Sequence, residues 1–232
     1  MRFYGLWMFL ALGLLVVACR DAELESDKNV TPNPSVSSER PAVRLQPAAM
    51  NTSPADRLTV SNPSIARLVA AAVAQYGQTV YYDPSYVKLS YPGGDVPKDR
   101  GVCSDVVIRA LRGVGIDLQV AVHKDMRTHW NAYPKLWGLR RPDANIDHRR
   151  VANLMTYFKR SGDALRVSSA ADSYRPGDLV AWRLGSGRLH IGVVTDRLAP
   201  SRNPLLAHNI GAGVQLEDVL FEWQIIGHYR VL

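Results

Sequence analysis

Three side chains in this sequence can do covalent chemistry as a set: one thiol, Cys103, and two imidazoles that follow it, His190 and His208. Thiolate is the nucleophilic form of cysteine and an imidazole can take the thiol proton, so the set points to attack on a carbonyl carbon. Apolar residues recur at Val102, Val106, Val107, Ala110, Leu111 and Val114, which is helical spacing. Asp99 is the expected N-cap, and Gly113 and Gly115 are the expected stops. A sulfur in the first turn of that helix lies beside unpaired N–H groups and the positive dipole end, both of which favour thiolate. The plainer alternative is a buried structural cysteine, a common fate for free thiols.

The elements that must position these groups fall in two blocks. A helix is expected from Pro63, capped by Asn62 or Ser61, with Ile65, Leu68, Val69, Ala72 and Val73 on one face and an end at Gly77. Thr79 to Tyr82 reads as extended, Tyr91-Pro-Gly-Gly-Asp as a turn, and helices are expected near 120–133 and 151–159. The last third reads as four strands: 179–182, 190–195 beginning on His190, 205–210 carrying His208, and 221–230, with Gly185-Ser-Gly marking a hairpin. Helices first and strands last give an α+β fold with an antiparallel sheet. Asn145 to Arg150 is a polar cluster that reads either as a solvated turn or, through Asp147, His148 and Arg149, as a substrate-binding wall. His123 and His129 do not share a helix face, so no metal site is expected there, and no cofactor. Asp178 reads as a turn stabiliser, Trp130, Trp137, Trp182 and Trp223 as core or cleft wall, and His228 has no nameable partner.

The 232 residues carry a formal net charge of +7, and 47% are hydrophobic, enough for a packed domain. Residues 1–58 are balanced, with six basic and six acidic residues, so the excess lies in 59–232. A basic domain suits an anionic partner such as a cell-wall polymer or lipid head groups. There is no Lys/Arg stripe interleaved with aromatics, so nucleic acid is not expected. Arg2, the apolar run Phe3 to Ala18 and the box Val-Val-Ala-Cys read as a secretory signal over 1–18. The segment resembles a bacterial lipoprotein signal, which would make Cys19 the lipidated terminus and give a membrane tether, with Arg20 after it favouring the outer membrane and a periplasm-facing domain. Residues 19–58, rich in Pro, Ser, Ala and charges, read as a flexible linker, and 59–232 as the domain. With Cys19 in the signal, Cys103 is the lone thiol of the domain and has no disulfide partner there.

Gly93-Gly94, Gly101-Val-Cys-Ser, Pro176-Gly-Asp-Leu-Val, His190-Ile-Gly-Val-Val and His208, in that order, resemble the papain-like NlpC-type cysteine peptidases, which cut peptides of bacterial cell walls. Tyr91-Pro-Gly-Gly-Asp-Val-Pro, Asn145-Ile-Asp-His-Arg-Arg-Val, His208-Asn-Ile-Gly and Gly227-His-Tyr-Arg more closely resemble the uncharacterised YijF-like family, grouped with those peptidases by fold. The resemblance implies a cysteine-bearing helix packed on the sheet, Cys103 as nucleophile, His190 as general base and Tyr91 as an aid to the oxyanion hole. It implies His208 as the third residue, with Asn209 as its rival; alternation lets only one of the two face the site. Peptidoglycan or its peptides would be the substrate. Two further readings share the residues: a non-catalytic peptidoglycan-binding lipoprotein, and a thiol acyltransferase. Val102 before the cysteine and Ser104-Asp105 after it depart from the peptidase pattern, which puts the substrate pocket in doubt.

Overall fold

The computed structural model describes residues 53–232. The expected signal peptide, Cys19 and most of the expected linker lie outside the described residues. The linker's end is part of the folded body, contrary to the expected boundary at 59. Pro54–Asp56 form a 3-10 turn, the Leu58 N–H donates to the Asp196 carbonyl at 2.7 Å, and Arg57 pairs with the Asp196 carboxylate.

Helix α1 (Pro63–Val73) starts where Asn62 Oδ1 accepts the N–H groups of Ser64 and Ile65, with Pro63 in the first helical position. It is followed by α2 (Cys103–Arg112), α3 (Leu118–Thr128) and α4 (Val151–Arg160). Asp117 accepts the Gln119 N–H and starts α3 there, so that helix begins and ends earlier than its apolar spacing implies. Strands β1 (Tyr81–Tyr82) and β2 (Arg100–Gly101) pair in parallel, Tyr82 opposite Gly101. Strands β3 (Ala164–Leu165), β4 (Leu179–Arg183), β5 (Leu189–Leu198), β6 (Pro204–Asn209), β7 (Val214–Glu217) and β8 (Gln224–Tyr229) form one antiparallel sheet, ordered β3-β8-β4-β5-β6-β7. Two of the six, β3 and β7, were not expected: at two and four residues they are too short to show a period.

Alternation along these strands builds two cores. Leu179, Ala181, Ile191, Val193, Leu205 and Ala207 face the helices and pack with residues such as Val107, Leu111 and Phe158. Val180, Trp182, Val194 and Leu206 face the other way and close on Tyr174, Val219 and Leu220. Each such Leu, Val or Phe contributes roughly 1.5–3 kcal/mol by leaving water. The α+β fold with the cysteine-bearing helix on an antiparallel sheet is the one observed, and α2 is its central helix, buried from Cys103 through Leu111.

Candidate active site

The N-cap of α2 is Val102, not Asp99, which makes Cys103 the first helical residue. Val102 has no side chain that can cap. Asp105 supplies the missing partner by folding back, its Oδ2 accepting the Val102 N–H at 2.7 Å. Gly101 leaves room for this, since a Cβ there would lie 2.9 Å from Asp105 Oδ2. Arg149 grips the same carboxylate with Nε and Nη2, both at 2.9 Å, in a fully buried fork, and Ser104 Oγ donates to the Arg149 carbonyl at 2.6 Å. Ser104-Asp105 is therefore a lock on the start of the helix.

That lock corrects the reading of residues 147–149 as a solvated turn or a substrate wall. Asp147, His148 and Arg149 are all buried. The Arg149 guanidinium is taken by Asp105, and the Asp147 carboxylate accepts the Asp143 N–H. Burial pushes the Asp147 carboxyl up to about 6 and the His148 imidazole down to about 4.

Cys103 is 5% exposed. Burial pushes its thiol up to about 12; the Ile191, Ser104 and Cys103 N–H groups oppose the rise and the Asp105 carboxylate adds to it. The expectation of a thiolate at the helix start is thus corrected: desolvation outweighs the local N–H groups, and the resting group is a neutral thiol. The Ile191 N–H reaches the sulfur because the β5–β6 pairing begins only at Val193–Ala207, leaving the start of β5 unpaired on that side.

His190 neighbours Ile191. Its Nε2 lies 2.9 Å from His208 Nδ1, and both rings are buried. Trp182, opposite His190 in the ladder, stacks on it at 5.6 Å, and the edge of Trp223 covers both imidazoles at 5.7 and 6.2 Å. Gly192 permits the approach, for a Cβ there would meet His208 Cβ and the Ala207 carbonyl at 3.1 Å. On the far side, His208 Nε2 is 3.0 Å from Glu217 Oε2, at ion-pair distance though off the line of a hydrogen bond. This chain orders the protons. As a carboxylate, Glu217 favours hydrogen on His208 Nε2; His208 Nδ1 then accepts from His190 Nε2–H, and His190 Nδ1 keeps a lone pair. Burial, with His208 beside it, holds the His190 imidazole well below its ordinary value, so it rests neutral.

The two halves of the site reach β5 from different faces. The sulfur belongs to the helix-side core, whereas His190 and His208 share the Trp182 face. The expected contact between thiol and imidazole is therefore not made in this structure. The ring's hydrogen bond is to His208, and thiol and imidazole are not bonded to each other.

The remaining assignments divide cleanly. Asn209 faces the helices, and its amide donates to the Gly101 and Tyr81 carbonyls at 3.0 and 3.3 Å. It ties the β1–β2 pair to the sheet and leaves His208 as the partner of His190. Tyr91, expected near an oxyanion hole, is half exposed and lays its ring 5.4 Å from that of His123 on α3. The tyrosine whose phenol is raised by the Cys103 charge is Tyr82, pushed up to about 12 first by partial burial, though 41% of the residue stays exposed. The signal for it lay in the chain's path, because Tyr82 pairs with Gly101, two residues before the cysteine. Glu217 was also missed, since β7 carries no recognisable motif. His228 does have a partner: its Nε2 lies 2.7 Å from Asp178 Oδ2, and Arg230 adds two bonds of 2.7 Å to the same carboxylate. Asp178 also accepts the Arg175 N–H at 2.9 Å, the turn-stabilising role expected of it.

Comparison with known proteins places this geometry among relatives. A family model described as "Domain of unknown function (DUF1287)" matches residues 69–231. The uncharacterized protein YijF of Escherichia coli (strain K12) is 58% identical over 156 residues, which is 67% of this chain and 76% of that one. Two solved structures align more loosely. NlpC1 from Trichomonas vaginalis does so with a TM-score of 0.38 and 14% identity over 75% of this chain and 46% of its own. A protein similar to a lipoprotein of the NLP/P60 family, from Staphylococcus aureus, does so with a TM-score of 0.37 and 13% identity over 79% of this chain and 46% of its own. The chain thus spans less than half the length of either solved chain, and likeness at this level adds nothing to the fold described above.

Proposed function

This chain belongs to the family described as Domain of unknown function (DUF1287), and we propose that it is a thiol hydrolase of amide bonds in bacterial peptidoglycan, carried on a lipid-tethered envelope domain. The single observation behind this reading is the chain Glu217–His208–His190 ending at the start of β5, the strand on which the cysteine-bearing α2 packs.

In this reading, bound substrate brings its carbonyl carbon to the sulfur. The S–C bond forms as the thiol proton passes to His190 Nδ1, a transfer that requires bound substrate to bring together two groups that rest on different faces of β5, and the imidazolium is then stabilised through His208 by Glu217. The protonated Tyr82 hydroxyl, together with the Cys103 N–H at the helix start, donates to the developing oxyanion. The C–N bond then breaks as His190 returns the proton to the leaving amine. Water hydrolyses the thioester, giving up its proton through His190 to restore the thiol and release the carboxylic acid. Because the resting thiol and imidazole are both neutral and enclosed, the proton moves only as the substrate displaces the cover over the sulfur. Tethering through Cys19 would hold the domain at the outer membrane, facing the periplasm.

The test is to incubate the purified domain with muropeptides beside Cys103→Ala and His190→Ala. Cleavage by wild type alone is expected; none by any form would sink the proposal. One observation favours a second reading, a non-catalytic peptidoglycan binder: the enclosed, neutral thiol. Binding to sacculi that is unchanged in Cys103→Ala, with no turnover by either protein, would select it.

A further inference from the structure

A second site lies at the other edge of the sheet, where β3 pairs with β8. An open cavity of about 520 Å³ is lined there by Arg166, Ser169, Asp172, Arg175, His228 and Arg230 among others. Two of its basic side chains are already engaged: Arg230 grips Asp178, and the His228 Nε2 bonds the same carboxylate. The other two, Arg166 and Arg175, make no side-chain ion pair among the described residues, and both are exposed at the cavity wall. The only acid lining the cavity with them is Asp172.

His228 supplies the observation that points to a ligand. The residue is 2% exposed, yet its Nδ1 has no hydrogen-bond partner among the described residues. A buried polar atom without a partner is costly, and such atoms in a cavity wall commonly await a bound group. With Nε2 committed to Asp178, Nδ1 is the ring atom left for a group bound beside the two open guanidiniums.

We infer that this cavity binds the oxyanion head, carboxylate or phosphate, of a ligand too large to be a bare ion. Arg166 and Arg175 form the fork that takes the oxygens, the unpartnered His228 Nδ1 lies beneath it, and Arg230 is held in place by Asp178. The cavity does not include Cys103, so the inference stands apart from the proposed hydrolase.

The experiment is calorimetric titration of the purified protein with inorganic phosphate and, separately, with acetate. Saturable binding is expected for at least one. Phosphate alone would assign a phosphate head, acetate alone a carboxylate, and both a general oxyanion site. The double variant Arg166→Ala/Arg175→Ala, altered only at exposed side chains, should bind about tenfold more weakly, the scale of one lost charged contact. Cys103→Ala should bind as wild type does. No saturable binding of either anion, or equal affinity in the double arginine variant, would overturn the inference.

Discussion

Two buried histidine clusters share one face of the sheet, and they are wired in opposite ways. At β8, His228 meets a carboxylate directly, and Arg230 closes a bidentate pair on the same oxygens, all within 2.7 Å. At β5, His190 meets another imidazole, and the carboxylate of Glu217 stands one ring further away. Burial alone would raise the Asp178 carboxyl, but the hydrogen bonds from His228 and Arg230 hold it below its ordinary value, so the first cluster is a completed ion pair. In the second, burial holds His190 neutral. A completed pair resists change; a neutral ring with a distant counter-charge can take up a proton and have it stabilised. The contrast separates a structural device from one fit for proton transfer.

Breaking the first cluster should cost the most. Asp178→Ala leaves His228 and Arg230 without their shared partner, and urea unfolding should show a loss of about 3–5 kcal/mol. Glu217→Gln should change stability by less than about 1 kcal/mol, since both forms fit the same space. If the two losses are equal, the contrast is wrong.

The next effects fall on rate. Tyr82→Phe should slow muropeptide cleavage about a hundredfold, the scale of one oxyanion donor, while Tyr91→Phe leaves the rate within about twofold. The reverse result would return the role to Tyr91. Glu217→Gln should slow cleavage about tenfold through a destabilised imidazolium, and its pH–rate profile should shift as well. A rate change with an unmoved profile would mean that Glu217 only shapes the pocket.

The smallest effects at neutral pH lie in the titration of stability, and there the clusters part by sign. The folded Cys103 thiol keeps its proton up to about 12, while in the unfolded chain it ionises near about 8.5. Stability from this group is therefore full below that pH and is lost as pH rises across the window; Cys103→Ala should flatten the alkaline slope. Asp178 acts at the other end, because its folded value is depressed. Its contribution is present above about pH 4 and is lost as pH falls further, and Asp178→Asn should flatten the acid slope. Thermal unfolding followed across pH checks both signs.

Helix and strand positions were legible wherever one face repeated over several turns or residues. Asn62-Pro63 marked the start of α1, and the alternation around Val180 and Trp182 marked β4, because caps and periodicity act within a few residues. Cys103, His190 and His208 stood in order as residue types, and of the three the structure brings His190 and His208 into contact. The start of α2 was not, because its cap comes from Asp105 folding back under the grip of Arg149, 44 residues away in sequence. Residues 147–149 read as polar and were taken for surface, yet a guanidinium with a buried carboxylate to meet can be drawn inside.

Local order along the chain set which residues could be nucleophile and base, since helix and strand periods are properties of neighbouring residues. Packing decided the rest: a thiol kept neutral by loss of water, His208 rather than Asn209 on the imidazole, and Glu217 behind the second ring. Each of these depends on desolvation or on contacts between strands, and those quantities exist only after distant segments have closed on one another.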